Sequence, residues 1–90
     1  MTREQVEGWL GERGEDDVLL ADGFDAAFIG VVHRCGEPAV AVYDYEKCVA
    51  VLVDRDGMDE EEAVEFFEFN VVGSWVGPGT PAFVEKVQES

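Results

Sequence analysis

"DYEKCVAVLVDRDG", Asp44 to Gly57, decides the fold, because its apolar residues obey two periods at once. Val49, Val51 and Val53 alternate as they would along a strand, and a strand here would extend a sheet. Asp44 can equally cap a helix that begins at Tyr45, with Gly57 ending it. Helical placement gathers Glu46, Lys47, Ala50 and Asp54 on one narrow stripe and leaves the apolar residues elsewhere, the pattern of a mostly buried helix. We read the segment as a helix.

Upstream, "AAFIGVVHRCGEPAVAVYDY" reads as two strands joined by a turn. Phe28, Ile29, Val31 and Val32 are β-formers, and Cys35 to Pro38 ("CGEP") is a turn signal. The second strand alternates, with Val40 and Val42 on one face and Ala39, Ala41 and Tyr43 on the other. Before this hairpin lies "EDDVLLADGFD", an acidic loop around Val18, Leu19 and Leu20. The chain opens on "TREQVEGWLGERG", where Thr2 and Gln5 have capping-box spacing. Val6, Trp9 and Leu10 then share a helical face, and the Gly11 to Gly14 region stops the helix.

Downstream, Asp59 is a suitable N-cap, and Glu60, Glu61 and Glu62 fall in a first turn where the helix dipole favours anions. On this helix Ala63, Phe66, Phe67 and Asn70 cluster on one side, which predicts that both phenylalanines are core. Glu61, Glu65 and Glu68 cluster opposite. Asn70 and Gly73 end the helix, "GSWVGPGTP" is a loop, and "PAFVEKV" is a third strand. Its Ala82, Val84 and Lys86 share one face, and Phe83, Glu85 and Val87 the other. The order α-β-β-α-α-β predicts an α+β fold, a small antiparallel three-stranded sheet with helices packed on one face. Residues 1–90 make one domain, since no internal repeat, low-complexity tract or linker divides them.

Twenty-one Asp and Glu face six Lys and Arg, a net charge of −15. Such a field repels nucleic acid and anionic membranes, so direct binding to either is not expected. It favours a basic protein partner, a bound cation, or life at high salt. Abundant acid with little lysine resembles the proteins of salt-loving organisms, where carboxylates keep the surface hydrated. No apolar run approaches the roughly 20 residues of a bilayer span, and "MTREQVEGW" does not read as a signal peptide. The expectation is an intracellular protein with Cys35 and Cys48 reduced and in the core, a disulfide between them being possible but not implied.

No residue pattern announces chemistry. His33 and Cys35 share a strand face, and with Cys48 they could offer three zinc ligands or a thiol nucleophile, but paired-ligand spacing is absent. Asp16, Asp17, Asp22 and Asp25 crowd a loop without the calcium-loop pattern, so solvated acid is the expectation. The Gly73–Gly79 loop lacks the Gly-Lys-Ser/Thr ending of a phosphate cradle. No catalytic residue, metal ligand or cofactor is therefore expected. The candidate partner-binding residues are Glu61, Glu65 and Glu68, spaced along one helix face, and Trp75, a loop tryptophan able to anchor a partner if partly exposed, the commoner role for such a residue being to cover the edge of the core.

"DGFDAAFIGV", "RCGEPAVAVYDYEKC" and "DGMDEEEAVEFFEFNVVGSWVGPGTPAF" together resemble a family of small uncharacterised acidic proteins of tailed phages, archaeal viruses and prophages. The resemblance runs from about Asp22 to Phe83 and rests on Tyr-Asp-Tyr-Glu-Lys-Cys and on Glu-Phe-Asn before Gly-x-Trp-Val-Gly. The N-terminal helix, residues 1–14, lies outside it. It implies a viral or proviral product acting in the host cytoplasm, and it carries over no catalytic residues. With the charge, it suggests an interaction protein whose carboxylates imitate nucleic acid toward a basic host defence or regulatory protein. The alternatives are a structural or housekeeping module whose acid is salt adaptation, and a metal-binding or thiol enzyme.

Overall fold

The computed structural model describes residues 1–15 and 17–87. In chain order it holds α1 (Arg3–Glu12), a 3₁₀ turn (Asp25–Ala27), β1 (Phe28–Val32), β2 (Val40–Asp44), α2 (Tyr45–Asp56), α3 (Glu60–Phe67), a π turn (Glu68–Val72) and β3 (Ala82–Val84). The fold is α+β, with the predicted element order.

Asp44 resolves the ambiguity of the central segment. Its extended backbone closes β2, and its side chain accepts the Lys47 N–H at 3.2 Å, so the helix starts at once. Gly57 ends α2 in the left-handed conformation that glycine adopts without steric penalty. Cys48, Val49 and Leu52 are buried, whereas Glu46, Lys47, Ala50 and Asp54 are exposed, as the helical reading requires. The other caps also form as predicted. Thr2 and Gln5 exchange both capping-box bonds, at 3.2 and 2.9 Å, and Asp59 accepts the Glu62 N–H at 2.8 Å.

The sheet runs β1-β2-β3, with β2 central. β1 and β2 are antiparallel, pairing Phe28 with Tyr43 and Val32 with Val40, and the register shifts between Phe28 and Gly30, with Ile29 as the irregularity. β2 and β3 are parallel, pairing Tyr43 with Phe83 and Asp44 with Val84. The sheet is thus mixed, not purely antiparallel. A parallel partner needs a crossover of a dozen or more residues. Here α2, α3, the π turn and the loop before β3 supply it, and a connection of that length leaves strand direction undetermined by local sequence.

One core forms on the face of the sheet that carries Phe28, Ala41, Tyr43 and Phe83, packed against Val6 and Leu10 of α1, Cys48 and Leu52 of α2, and Ala63 and Phe67 of α3. Tyr43 sits at its centre, with Phe28 at 5.6 Å edge-on and Phe83 at 5.7 Å between ring centroids. Its hydroxyl accepts the Ala21 N–H at 2.9 Å, which ties the acidic loop to the sheet. Val40 and Val42, on the other face, are shielded as residues of the central strand.

The Asp44 carboxylate also meets Lys86 at 2.9 Å, although its residue is only 2% exposed. The Lys86 ammonium first, and the Lys47 N–H second, hold this carboxyl below its ordinary value against the opposing effect of burial. A carboxyl depressed in the folded state contributes stability that is present above about pH 4 and is lost as pH falls through the folded value. Asp44→Ala should lower the unfolding free energy by about 1–2 kcal/mol through the lost cap alone. Asp44→Asn keeps a capping oxygen and loses only the charge. Its deficit, measured by urea unfolding, should be present at neutral pH and vanish in acid; a deficit independent of pH would contradict this account.

Candidate interaction surface

Helix α3 and the π turn carry the predicted acidic face and an aromatic face that the sequence reading did not assign. Glu61, Glu65 and Glu68 are all exposed, as predicted. Phe67 is fully buried, at 5.0 Å from both Tyr45 and Phe83. Phe66, expected in the core, is instead 40% exposed, and Asn70 is exposed with its amide donating to the Phe66 carbonyl at 3.1 Å. The reason lies in which residues flank the buried pair. Val64 and Val71 pack against the core beside Ala63 and Phe67, so the buried face turns toward them and leaves Phe66 on its outer border.

The π turn contributes to the same outcome. In an α-helix the spacing from Ala63 to Phe67 to Val71 drifts around the axis, and a wider turn reverses that drift. The Gly73 N–H bonds back to the Glu68 carbonyl at 3.0 Å, the five-residue reach of a π turn. A Cβ at residue 73 would lie 3.1 Å from the Phe69 carbonyl oxygen and 3.2 Å from that of Glu68, so glycine fits this closure best. Val71 returns to the core, and Phe69, on the far side, is 84% exposed.

Phe69 is the residue that sequence analysis missed. Its signal was available: two positions beyond Phe67 on a helix lies nearly the opposite face, so the two rings could not both be core. Phe66 and Phe69 line one open depression together with Glu62, Glu65 and Glu68. Glu61 is not part of that lining and extends the acid along the adjoining face.

Glu68 is anchored as well as exposed. It accepts the Tyr45 hydroxyl at 2.6 Å, linking the start of α2 to the π turn. This bond, followed by burial, pushes the Tyr45 phenol up to about 12. Trp75, in the following loop, is 73% exposed and does not cover the core. The loop itself is fixed by Thr80, whose hydroxyl accepts the Val76 N–H at 2.9 Å and donates to the Gly77 carbonyl at 2.7 Å.

The residues weighed for metal or thiol chemistry are dispersed. Cys48 is sealed in the core, where burial pushes its thiol up to about 12, a poor nucleophile at neutral pH. Cys35, also expected in the core, is exposed in the loop between β1 and β2, and both thiols are free. Its position is explained by the register, which ends β1 at Val32 and leaves residues 33–39 outside the sheet. His33 lies 3.6 Å from Glu15 with 63% of its side chain exposed. Of the loop aspartates, Asp22 and Asp25 face Arg3 at 2.8 and 3.9 Å, and Asp16 lies outside the described residues. Among the described residues, no three His, Cys, Asp or Glu side chains are gathered for a metal ion, and no helix is long and apolar enough to cross a membrane.

Comparison with family models, curated proteins and solved structures finds no match for this chain.

The Tyr45–Glu68 bond is directly measurable. Glu68→Gln should return Tyr45 toward the usual phenol value of about 10, so that tyrosinate absorbance develops earlier in an alkaline titration than in the wild type. An unchanged titration curve would show that the pair does not exist in solution.

Proposed function

We propose that this chain is a non-catalytic interaction protein that binds a basic protein partner through the acidic face of α3. One observation carries the reading: the distribution of counter-charges. Arg3 faces Glu7, Asp22 and Asp25, Arg13 faces Glu15, Arg55 faces Asp56, and Lys86 faces Asp44. Among the described residues, none of Glu60, Glu61, Glu62 and Glu65 has an ion-pair partner. These four unpaired carboxylates fall within one stretch of α3, residues 60–65, and such a concentration of negative charge would steer a cationic surface into contact. Trp75, exposed nearby in sequence, supplies an aromatic anchor of the kind that dominates interface energetics.

The resemblance to viral and proviral proteins gives this reading a setting, the cytoplasm of a microbial host, and a class of partner: a basic defence or regulatory protein that ordinarily holds nucleic acid. In that setting the α3 carboxylates take the place of phosphates. No cofactor is required, and neither nucleic acid nor membrane is bound directly.

A second reading has its own support. Exposed acid also lies on α1 (Glu4, Glu7, Glu12) and on α2 (Asp54, Asp56), so part of the charge serves hydration at high salt whatever α3 does. The two readings are separable. Adaptation to salt predicts a large gain in unfolding free energy in molar potassium chloride, beyond the screening of self-repulsion.

Capture from the native host at low ionic strength, followed by salt elution, tests the first reading. The captured protein should be basic, should be displaced by duplex DNA if mimicry is the mechanism, and should dissociate steeply as salt rises. Glu61→Lys with Glu65→Lys is the informative variant, because neither side chain makes a hydrogen bond among the described residues, whereas that of Glu68 accepts the Tyr45 hydroxyl. That variant should lose the partner; undiminished capture would overturn the proposal.

A further inference from the structure

The exposed rings of Phe66 and Phe69 give the acidic face an apolar centre, and this narrows what can dock there. Phe69 is 84% and Phe66 40% exposed, and two partly or largely uncovered rings in one depression form an apolar patch that a partner would cover. The carboxylates of Glu62, Glu65 and Glu68 border the same depression. A second copy of this chain is a poor occupant. An isologous contact would set these carboxylates against their own counterparts, on molecules that each carry a charge of −15. A neutral apolar segment would leave the carboxylates partly desolvated without counter-charge. A purely cationic groove would neutralise the acid and leave both rings uncovered, so the nucleic-acid-binding element of the basic partner must bring apolar residues as well.

We infer that the Glu62–Phe69 surface is a docking site for a cationic amphipathic helix, which lays apolar residues on Phe66 and Phe69 and places lysine or arginine against Glu62, Glu65 and Glu68. Resting on the proposed role as a binder of basic proteins, this names the element of the partner that is recognised. Arginine suits the site doubly, since its guanidinium can pair with a carboxylate and stack on a phenyl ring. The surface is presented on a firm base. Phe67 is locked in the core immediately beneath, and Glu68 is held by Tyr45. Recognition would therefore proceed without remodelling of α3.

The test uses three synthetic peptides of about 18 residues, long enough to hold a helix. The first has leucine on one helical face and lysine on the other; the second has the same composition in scrambled order; the third replaces lysine with glutamate. Calorimetric titration at about 0.15 M salt should show the amphipathic cationic peptide binding about tenfold or more tighter than the scrambled one, and the glutamate peptide not binding. Phe66→Ser with Phe69→Ser should abolish that preference while retaining the weaker, charge-driven association. Both side chains are exposed, so folding should survive, which an unfolding curve checks. Glu62→Lys with Glu65→Lys should remove binding of both cationic peptides.

Equal affinity for the ordered and scrambled peptides, or a phenylalanine variant that binds as the wild type does, would overturn the inference. So would self-association that the phenylalanine substitutions abolish, since the occupant would then be a second copy. The parent reading is tested separately. If host capture depends on Glu61 and Glu65 but is indifferent to Phe66 and Phe69, the basic partner stands and the amphipathic helix falls.

Discussion

The carboxylate of Asp44 is the point from which the rest of the structure is organised. It closes the central strand, caps α2 and faces Lys86 just beyond β3, so one nearly inaccessible side chain joins three elements. Burying a charge is costly unless it is paired and hydrogen-bonded, and here both conditions are met. Because the strand must end where the helix begins, α2 cannot slide along the sheet. That fixes which of its residues face Tyr43, and α3 in turn packs against a helix whose rotation is already set. The aromatic cluster of Phe28, Tyr43, Phe67 and Phe83 is the apolar consequence of this polar anchor.

Once the core is fixed, α3 has a surplus of aromatic residues. "EFFEFN" presents three rings within four positions, and a single helical face can bury only part of such a run. The core takes Phe67, and the π turn then returns Val71 to it instead of Phe69. Turns of this kind are rare and concentrate at functional sites, because they displace side chains from the positions that regular packing would give them. Here the displacement keeps a phenylalanine in water beside unpaired carboxylates. A protein selected only for stability and hydration gains nothing from that ring.

Much of the fold was legible in the sequence, and the legible parts share a cause. Thr2, Asp44 and Asp59 cap helices through contacts only three residues long, and Gly57 stops one by its own backbone freedom. Such signals are local, so reading them needs no knowledge of the tertiary structure. The direction of β3 was not legible, because it depends on where a long crossover delivers the chain and not on the three residues that pair. The exposure of Phe66 and Cys35 was hidden for a related reason. A helical wheel locates a face but not its centre, which Val64 and Val71 shift, and a strand's end is set by its partner's register. On the acidic surface the sequence identified Glu61, Glu65 and Glu68 as outward-facing, but not that two phenylalanines stand among the carboxylates, since that requires knowing which ring the core accepts.

Charge and exposed aromatic surface are usually discussed as opposites, one keeping a protein soluble and the other driving association. Here each makes the other tolerable. Two rings open to solvent would ordinarily promote self-association, yet every molecule that approaches another does so with a strong negative potential concentrated around those rings. Repulsion of this kind would disfavour self-association through the patch and, under the proposed reading, leave it available to a cationic partner. The protection weakens as salt screens the field, over about 3 Å in molar salt against about 8 Å at physiological strength, so a salt-rich cell would demand more acid for the same protection. Acid scattered over α1 and α2 and acid concentrated on α3 need not then be rival explanations. The scattered charge sets the background against which the α3 surface can remain exposed, and under the proposed reading the unpaired carboxylates of α3 would select a cationic occupant.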